Sequence, residues 1–173
     1  MSTPIIITGA AGFIGRNVVA ELNRRGHQNL LLVDQLGTDG KWANLVGLRF
    51  DDAISPSKFI ESVKADTAPK AAACIHLGAC SATTEKDADY LLENNYCYTR
   101  TLCEWGLRQG ARFVYASSAA TYGEGALGYS DEDSATPALR PLNMYGYSKH
   151  LFDLWALQTG VFDRIVGLKY FNV

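Results

Sequence analysis

The chain has 173 residues, of which 47% are apolar and 20% charged, and its formal net charge at pH 7 is −2. This composition predicts one globular domain with a sizeable core. Basic residues are scattered, which excludes the concentrated basic surface that nucleic acid requires, and no apolar run approaches the roughly 18 residues of a membrane span.

The start of the chain and its cysteines predict where in the cell the protein lies. The first residues lack the basic segment of a secretory signal, so we expect a cytoplasmic protein. The four cysteines show no Cys-x-x-Cys spacing and no histidine at a metal-ligand interval: Cys74, Cys80, Cys97 and Cys103. We therefore predict reduced cysteines and no metal site.

Short apolar runs alternate with helical patterns along the whole chain. Helical periodicity covers residues 12–25, 56–66 and 86–109, and a loop of some twenty residues leads into a further helix. The predicted strands are residues 4–10, 29–34, 47–52, 71–79, 112–118 and 164–173. This alternation predicts an α/β fold with a parallel sheet covered on both faces. Right-handed crossovers favour a doubly wound Rossmann sheet of six strands in the order 3-2-1-4-5-6.

A glycine-rich loop, TGAAGFIG, follows the first strand and opens the first helix. Gly9 permits a tight turn, Gly12 lets the backbone approach a pyrophosphate, and Gly15 lets the helix pack closely on the sheet. The N-terminus of the helix offers N–H groups and positive potential to phosphates. No Gly-Lys-Ser/Thr follows, which excludes the phosphate loop of nucleoside triphosphatases.

An acid stands at the tip of the second strand. A carboxylate at Asp34 can hold the hydroxyls of an adenosine ribose. The strand before the loop, the helix after it and the acid beyond it together predict a dinucleotide site rather than a simple turn.

The stretch MYGYSKHLFD sets Tyr145 four residues before Lys149. On a helix this spacing puts both side chains on one face. The pair could be a phenol beside an activating ammonium, or a half-buried tyrosine beside a solvated lysine. Taken alone, the spacing does not separate the two.

The glycine spacing, Gly-x-x-Gly-x-x-Gly, resembles that of the extended short-chain dehydrogenase/reductase family, the NAD-dependent epimerases and dehydratases. Members place a Ser or Thr at the end of the fifth strand and Tyr-x-x-x-Lys on the next helix, where this chain has YASSAATYG and YGYSK. The segments GACSATTE and ENNY are similar to the cofactor-contacting segments of that family. The resemblance covers essentially the whole chain and favours the functional interpretation of Tyr145 and Lys149.

The resemblance implies three catalytic residues. Tyr145 would act as acid and base toward a sugar hydroxyl, and Lys149 would favour the phenolate and bind the nicotinamide ribose. Ser118 would bind the reacting oxygen, and is preferred to Ser117 because it lies four residues before Tyr122, as in the family pattern. The alternative for Ser118 is a serine that satisfies the end of a strand.

The implied cofactor is NADP, with NAD as the alternative. Asp34 and Gln35 would hold the adenosine ribose and Lys41 could reach a 2′-phosphate, although Lys41 could also be an exposed loop lysine. Asp34 alone favours NAD, because a carboxylate repels that phosphate. Asn94 would lie near the nicotinamide, or bridge backbone groups. The predicted cofactor-binding residues are Gly9, Gly12, Phe13, Ile14, Gly15, Asp34, Gln35, Lys41, Leu77, Gly78, Ala79, Cys80, Ser81, Asn94, Tyr145, Lys149 and Val173, and the predicted substrate-binding residues are Ser118 and Asn172.

Within that family, segments such as GACSATTE and ASSAATYG are similar to those of the enzymes that invert carbon six of the heptose in ADP-D-glycero-D-manno-heptose, a precursor of lipopolysaccharide. The implied reaction oxidises carbon six to a ketone and returns the hydride to the opposite face, so no cofactor is consumed. Two alternatives stay open: another nucleotide-sugar epimerase such as a UDP-hexose 4-epimerase, and a non-catalytic dinucleotide-binding module. A 4,6-dehydratase would show Thr-Asp-Glu in place of Ser118, Ala119 and Ala120.

The chain departs from the family pattern in three respects. Gln35 replaces the usual Asn, and Leu77 replaces a polar Glu, so that contact with the cofactor must use backbone. Members of the family are considerably longer, so we expect residues 1–173 to be the dinucleotide-binding domain of a homo-oligomeric enzyme whose substrate-binding part is absent here. Alone, this chain is expected to bind dinucleotide weakly or moderately, to turn over little substrate, and to expose an apolar face.

Overall fold

The computed structural model describes residues 3–173, which contain a six-stranded sheet. The strands are β1 (Ile5–Thr8), β2 (Leu30–Val33), β3 (Asp52–Ile54), β4 (Ala73–His76), β5 (Arg112–Ser118) and β6 (Ile165–Tyr170). Their order across the sheet is β3-β2-β1-β4-β5-β6. β1 runs parallel to β2 and β4, and β2 runs parallel to β3. The predicted doubly wound α/β fold is thus confirmed.

In the described part of the chain, five α-helices connect these strands: α1 (Phe13–Arg24), α2 (Pro56–Lys64), α3 (Ala88–Leu91), α4 (Tyr98–Arg108) and α5 (Met144–Gln158). A π-helical segment, Leu92–Cys97, joins α3 to α4. Asn143 directly precedes helix α5 as its N-cap, and its side-chain oxygen accepts the Gly146 N–H at 2.8 Å. Within residues 3–173, no helix combines the length and apolar character needed to cross a membrane.

The chain forms two compact units. Unit 1 comprises Met1–Gly78 and Thr101–Val114, and unit 2 comprises Ala79–Arg100 and Tyr115–Val173. The core of unit 1 is built from β1, β2 and α1, with Ile7, Ala10, Val19, Leu30 and Leu32 all buried. Every residue of β2 is buried, as its uniformly apolar sequence predicts.

Unit 2 is centred on α5. Phe152 is 1% exposed and packs edge-on against the ring of Tyr115, with the ring centroids 4.6 Å apart. Ala156 and Ile165 are buried in the same unit. The face of α5 that carries these contacts also carries the side chains of interest below.

The third strand was predicted at residues 47–52, and this prediction is wrong. The paired residues are Asp52–Ile54, which lie opposite Leu31, Leu32 and Val33 of β2. Gly47 has a φ of +82° and turns the chain, after which Leu48 and Phe50 pack against the core of unit 1 from a loop. The alternation of apolar residues at Leu48 and Phe50 therefore indicates burial in a loop here and not strand pairing.

The long helix predicted over residues 86–109 also differs in detail. It begins at Ala88, after Asp87 accepts the Tyr90 N–H at 2.9 Å, and its middle is the π segment. A π turn inserts one extra residue into a helix and often marks a functional position. The outer residues of the strands predicted at 71–79 and 164–173 lie outside β4 and β6.

Candidate active site

In unit 1, packing and backbone geometry require two of the three loop glycines. Gly9 has a φ of +68°, and a Cβ atom on it would lie 2.7 Å from the Gly78 nitrogen. A Cβ atom on Gly15 would lie 2.0 Å from the Gly9 carbonyl oxygen. Any side chain at either position would collide with backbone, so the loop and the start of α1 hold their shape only with glycine.

Gly12 is different from the other two. Its φ is −72°, which any residue adopts, and the nearest atom to a Cβ there would be the Gly9 oxygen at 3.2 Å. Gly12 is also the N-cap of α1 and has no side-chain cap. The first N–H groups of this twelve-residue helix are therefore free of a side-chain cap and suited to an anion.

Asp34 is joined to the glycine loop and to Lys41. One carboxylate oxygen accepts the Ala11 N–H at 2.7 Å. The other accepts the Gln35 N–H at 2.7 Å and a proton of the Lys41 ammonium at 2.6 Å. Asn44 supports the loop from the same side, donating to the Ala11 carbonyl at 2.8 Å. Lys41 is thus an ion-pair partner of Asp34 rather than a free loop lysine.

The other predicted cofactor residues of unit 1 differ in exposure and in hydrogen bonding. Phe13 is 69% exposed, Ile14 is half-buried and Gln35 is exposed. Leu77 packs against the core, and its N–H donates to the Thr8 carbonyl at 3.1 Å. The Gly78 N–H donates to the Thr8 hydroxyl oxygen at 3.0 Å.

In unit 2, Asn95 holds the segment Ala79–Cys80–Ser81. Its side-chain oxygen accepts the Cys80 N–H at 2.9 Å, and its amide group donates to the Cys80 carbonyl at 3.0 Å. The same amide donates to the Ser148 hydroxyl on α5 at 3.0 Å. Asn94 is partly exposed and donates to the Asn95 oxygen at 3.0 Å. The bridging of backbone groups that we considered for Asn94 is thus made by Asn95.

Asn95 was not singled out from the sequence. Its position in the ENNY segment was a signal, since two adjacent asparagines are unusual in a helix interior. The π turn that buries the second of them completely is a property of the folded chain.

The two adjacent serines at the end of β5 have different surroundings. Ser117 is 3% exposed and donates to the carboxylate of Asp153 at 2.8 Å. The Ser118 oxygen accepts the Ala120 N–H at 3.1 Å. Among the described residues, the Ser118 hydroxyl donates to no acceptor, so its proton is available to a reacting oxygen.

Helix α5 carries the tyrosine and lysine. Lys149 is only 5% exposed, and its ammonium donates to the Ala116 carbonyl of β5 at 2.9 Å. Burial lowers the pKa of Lys149 to about 8, and the charge of Asp153 opposes that effect. The alternative of a solvated lysine is therefore wrong. Tyr145 is half-buried, and its hydroxyl has no hydrogen-bond partner among residues 3–173.

Asp153 is the centre of a buried polar network in unit 2. It is 1% exposed and accepts hydrogen bonds from Tyr115 at 2.7 Å, Ser117 at 2.8 Å and the Lys169 ammonium at 2.8 Å. Sequence reasoning missed it, although it follows Lys149 by four residues on the same helix. Asn172 and Val173 lie beyond the end of β6 and are exposed.

Unit 1 therefore has the features of a dinucleotide-binding loop, and unit 2 carries a serine hydroxyl, a phenol and a buried ammonium on neighbouring elements. The first of these can bind a pyrophosphate and a ribose, and the second can move a proton to and from a hydroxyl.

Fold and loop together define a nucleotide-binding protein of the Rossmann type. The chain belongs to the NAD dependent epimerase/dehydratase family, whose sequence model matches residues 5–173. The family description names NAD and supports a nicotinamide dinucleotide as the cofactor.

Curated relatives carry a more specific name. The chain is 53% identical over 169 residues to an ADP-L-glycero-D-manno-heptose-6-epimerase of Nitratidesulfovibrio vulgaris, covering 97% of this chain and 52% of the relative. It is 46% identical over 173 residues to the enzyme of that name from Fusobacterium nucleatum, covering 98% and 52%. The chain spans about half the length of the curated relatives it matches.

A solved structure is similar over the same region. The crystal structure of the Helicobacter pylori ADP-L-glycero-D-manno-heptose-6-epimerase has a TM-score of 0.82 at 27% identity, and the match covers 99% of this chain and 56% of that one.

Proposed function

We propose that the chain is part of a redox epimerase that inverts carbon six of the heptose in ADP-D-glycero-D-manno-heptose. The observation that carries this proposal is the burial of Lys149 on the helix that bears Tyr145, beside the strand that ends in Ser118. A lysine that were merely a surface residue would not give up water for a single backbone carbonyl. The proposed substrate rests on sequence identity of 53% and 46% to proteins that are named for this reaction.

In this proposal the residues of unit 2 handle the proton. Tyr145 takes the proton of the hydroxyl on carbon six and later returns it, and Ser118 donates a hydrogen bond to the same oxygen. The ammonium of Lys149 provides positive charge on the Tyr145 face of α5. The chemistry that a bound nicotinamide would supply is a reversible hydride acceptor, which would make the reaction an inversion without net oxidation.

We further propose that unit 1 holds the adenosine end of the cofactor. The uncapped start of α1 would bind the pyrophosphate, and Asp34 would bind the ribose. NADP is proposed over NAD because Lys41 lies 2.6 Å from an Asp34 oxygen. A cation there offsets the repulsion between the carboxylate and a 2′-phosphate.

Two measurements on the 173-residue chain test these proposals. Calorimetric titration with NADP and with NAD tests the cofactor, and Lys41→Met should lose affinity for NADP while it keeps affinity for NAD. Lys58→Met, an exposed lysine on α2, is the matched control. Loss of affinity for both dinucleotides in Lys41→Met alone would contradict a role in reading the 2′-phosphate.

The reaction is tested by incubating the chain and NADP with ADP-heptose or with a UDP-hexose, and separating the epimers by chromatography. Inversion of the heptose that is abolished in Tyr145→Phe supports the proposal, and Tyr147→Phe is the control on the same helix. Inversion of the UDP-hexose instead would assign a 4-epimerase. The chain spans about half the length of its curated relatives and is expected to convert little of either sugar alone, so the binding-module alternative is tested with a protein of the relatives' full length. Conversion of neither sugar by such a protein that binds the dinucleotide would leave a binding module as its function.

A further inference from the structure

The carboxylate of Asp153 ties three elements of unit 2 together. It lies on α5 and accepts hydrogen bonds from Tyr115 and Ser117 of β5 and from Lys169 of β6. Lys169 also donates at 2.8 Å to the hydroxyl of Thr121, which lies in the short 3-10 segment that follows β5. A buried carboxylate with three donors is firmly held in place.

Room for this network is made on β6. A Cβ atom on Gly167 would lie 2.6 Å from the Tyr115 hydroxyl oxygen. The Tyr115 ring therefore reaches Asp153 across a strand position that only glycine leaves open. The network is accordingly built into the strand as well as into the helix.

Asp153 also stands one helical turn beyond Lys149. The Lys149 ammonium is buried, and its hydrogen bond goes to a neutral carbonyl. A buried cation is costly unless a negative charge lies near it. The Asp153 charge favours the ammonium form of Lys149, while Lys169 is ion-paired with the same carboxylate.

Other carboxylates on the elements packed against α5 do not supply this charge. Three are exposed to solvent: Asp89, Glu93 and Asp133. The remaining titratable groups on those elements are phenols and a thiol: Tyr90, Tyr96, Cys97 and Tyr122. The strands β5 and β6 add only phenols and cations: Arg112, Tyr115, Lys169 and Tyr170. On α5 itself stand Tyr145, Tyr147 and His150. Burial lowers the pKa of His150, the charge of Asp153 opposes that effect, and the positive charges of Lys169 and Arg140 lower the pKa further.

We propose that Asp153 is a positioning residue for the Tyr145–Lys149 pair, because its carboxylate holds β5 against α5 and supplies the negative charge that keeps Lys149 an ammonium. Its role in catalysis rests on the proposed function, but its effect on Lys149 does not. Lys169 shares the carboxylate and moderates that effect.

The test is the protonation of Lys149 in the full 173-residue chain, followed by the NMR signal of its side-chain nitrogen against pH. The signal is assigned by its loss in Lys149→Arg. Asp153→Asn should weaken proton binding by Lys149 at least tenfold. Lys169→Met should strengthen it, because the carboxylate then acts on Lys149 alone. Asp163→Asn, an exposed carboxylate in the same unit, is the control.

Opposite shifts separate this role from a merely structural one. Both variants break the same ion pair, so a general loosening of the unit would change the proton affinity of Lys149 in the same direction in both. The proposal would be overturned if the proton affinity of Lys149 shifted in the same direction in both variants. It would also be overturned if that affinity in Asp153→Asn lay within twofold of its value in the Asp163→Asn control. If Asp153→Asn fails to fold, Lys169→Met decides alone. Stronger proton binding by Lys149 in that variant supports the proposal, and unchanged or weaker proton binding refutes it.

This readout needs neither substrate nor cofactor, so a chain without epimerase activity still tests it. In an active protein, the alkaline limb of the profile of activity against pH should shift in each variant in the same direction as the proton affinity of Lys149. Activity without any effect of Asp153→Asn on that limb would refute the positioning role and leave the proposed function intact.

Discussion

Substitution of the loop glycines by alanine should separate folding from binding in unit 1. In Gly15→Ala the added methyl group would lie 2.0 Å from the Gly9 oxygen and 2.8 Å from the Ala10 Cα atom. Both are backbone atoms of the turn that precedes α1, and they cannot rotate away as a side chain can. In Gly12→Ala the nearest atom is the Gly9 oxygen at 3.2 Å, which requires only a small adjustment.

The expected magnitudes follow from these distances. Overpacking of a core costs about 1–3 kcal/mol, and the shift of about 1 Å needed at Gly15 places that variant at the upper end. Alanine in a helix gains about 1 kcal/mol over glycine, so we expect Gly15→Ala to lose about 2 kcal/mol of unfolding free energy. For a chain of this size that is a fall in Tm of about 4–8 °C. Gly12→Ala should stay within about 1 kcal/mol of the parent chain.

Urea and thermal unfolding, followed by circular dichroism, measure the stabilities, and calorimetry measures NADP affinity. Gly106→Ala is the control, because its Cβ atom would meet only side-chain carbons at 3.7 and 3.9 Å and it sits within α4. It should gain stability by about 1 kcal/mol. Gly12→Ala should fold normally yet bind dinucleotide at least tenfold more weakly, a loss of about 1.4 kcal/mol.

Two results would refute this reasoning. A Gly15→Ala chain as stable as the parent would mean that the close approach of α1 to the loop is not needed. A Gly12→Ala chain that binds NADP at full affinity would mean that the pyrophosphate does not approach Gly12.

Three further predictions concern unit 2. Burial lowers the pKa of Lys149 from 10.5 to about 8, so between those values the unfolded chain keeps a proton that the folded chain has released. The unfolding free energy should therefore rise with pH across that window, by up to about 3 kcal/mol, and urea unfolding of Lys149→Met should show no such rise. Asn95→Ala removes four hydrogen bonds and should cost about 2–4 kcal/mol and speed hydrogen exchange at the Cys80 amide. Asn94→Ala removes only the bond between the two asparagines and should do neither; equal effects of the two variants would be evidence against the role given to Asn95. Tyr129, Phe171 and Val173 are 62%, 58% and 76% exposed, so sedimentation should show self-association that weakens in Phe171→Ser, and a monomer at high concentration would argue against it.

The sequence was sufficient for the features that depend on local pattern. Apolar runs alternating with helical periodicity predicted a parallel sheet in the correct order, because each element is amphipathic or buried in a way its own residues show. The glycine loop and Asp34 were predicted from spacing, since the turn, the strand end and the helix start are all local. Local pattern failed at residues 47–52, where alternation accompanied a packed loop.

The tertiary structure alone decided which polar side chains are buried and what they bind. Tyr145 and Lys149 share a helix face by spacing, but only the packing of α5 on β5 shows that Lys149 is buried. Asn95 and Ser148 are 53 positions apart, and Tyr115 and Asp153 are 38 apart. Such contacts form when distant segments meet, and no periodicity within either segment encodes the partner.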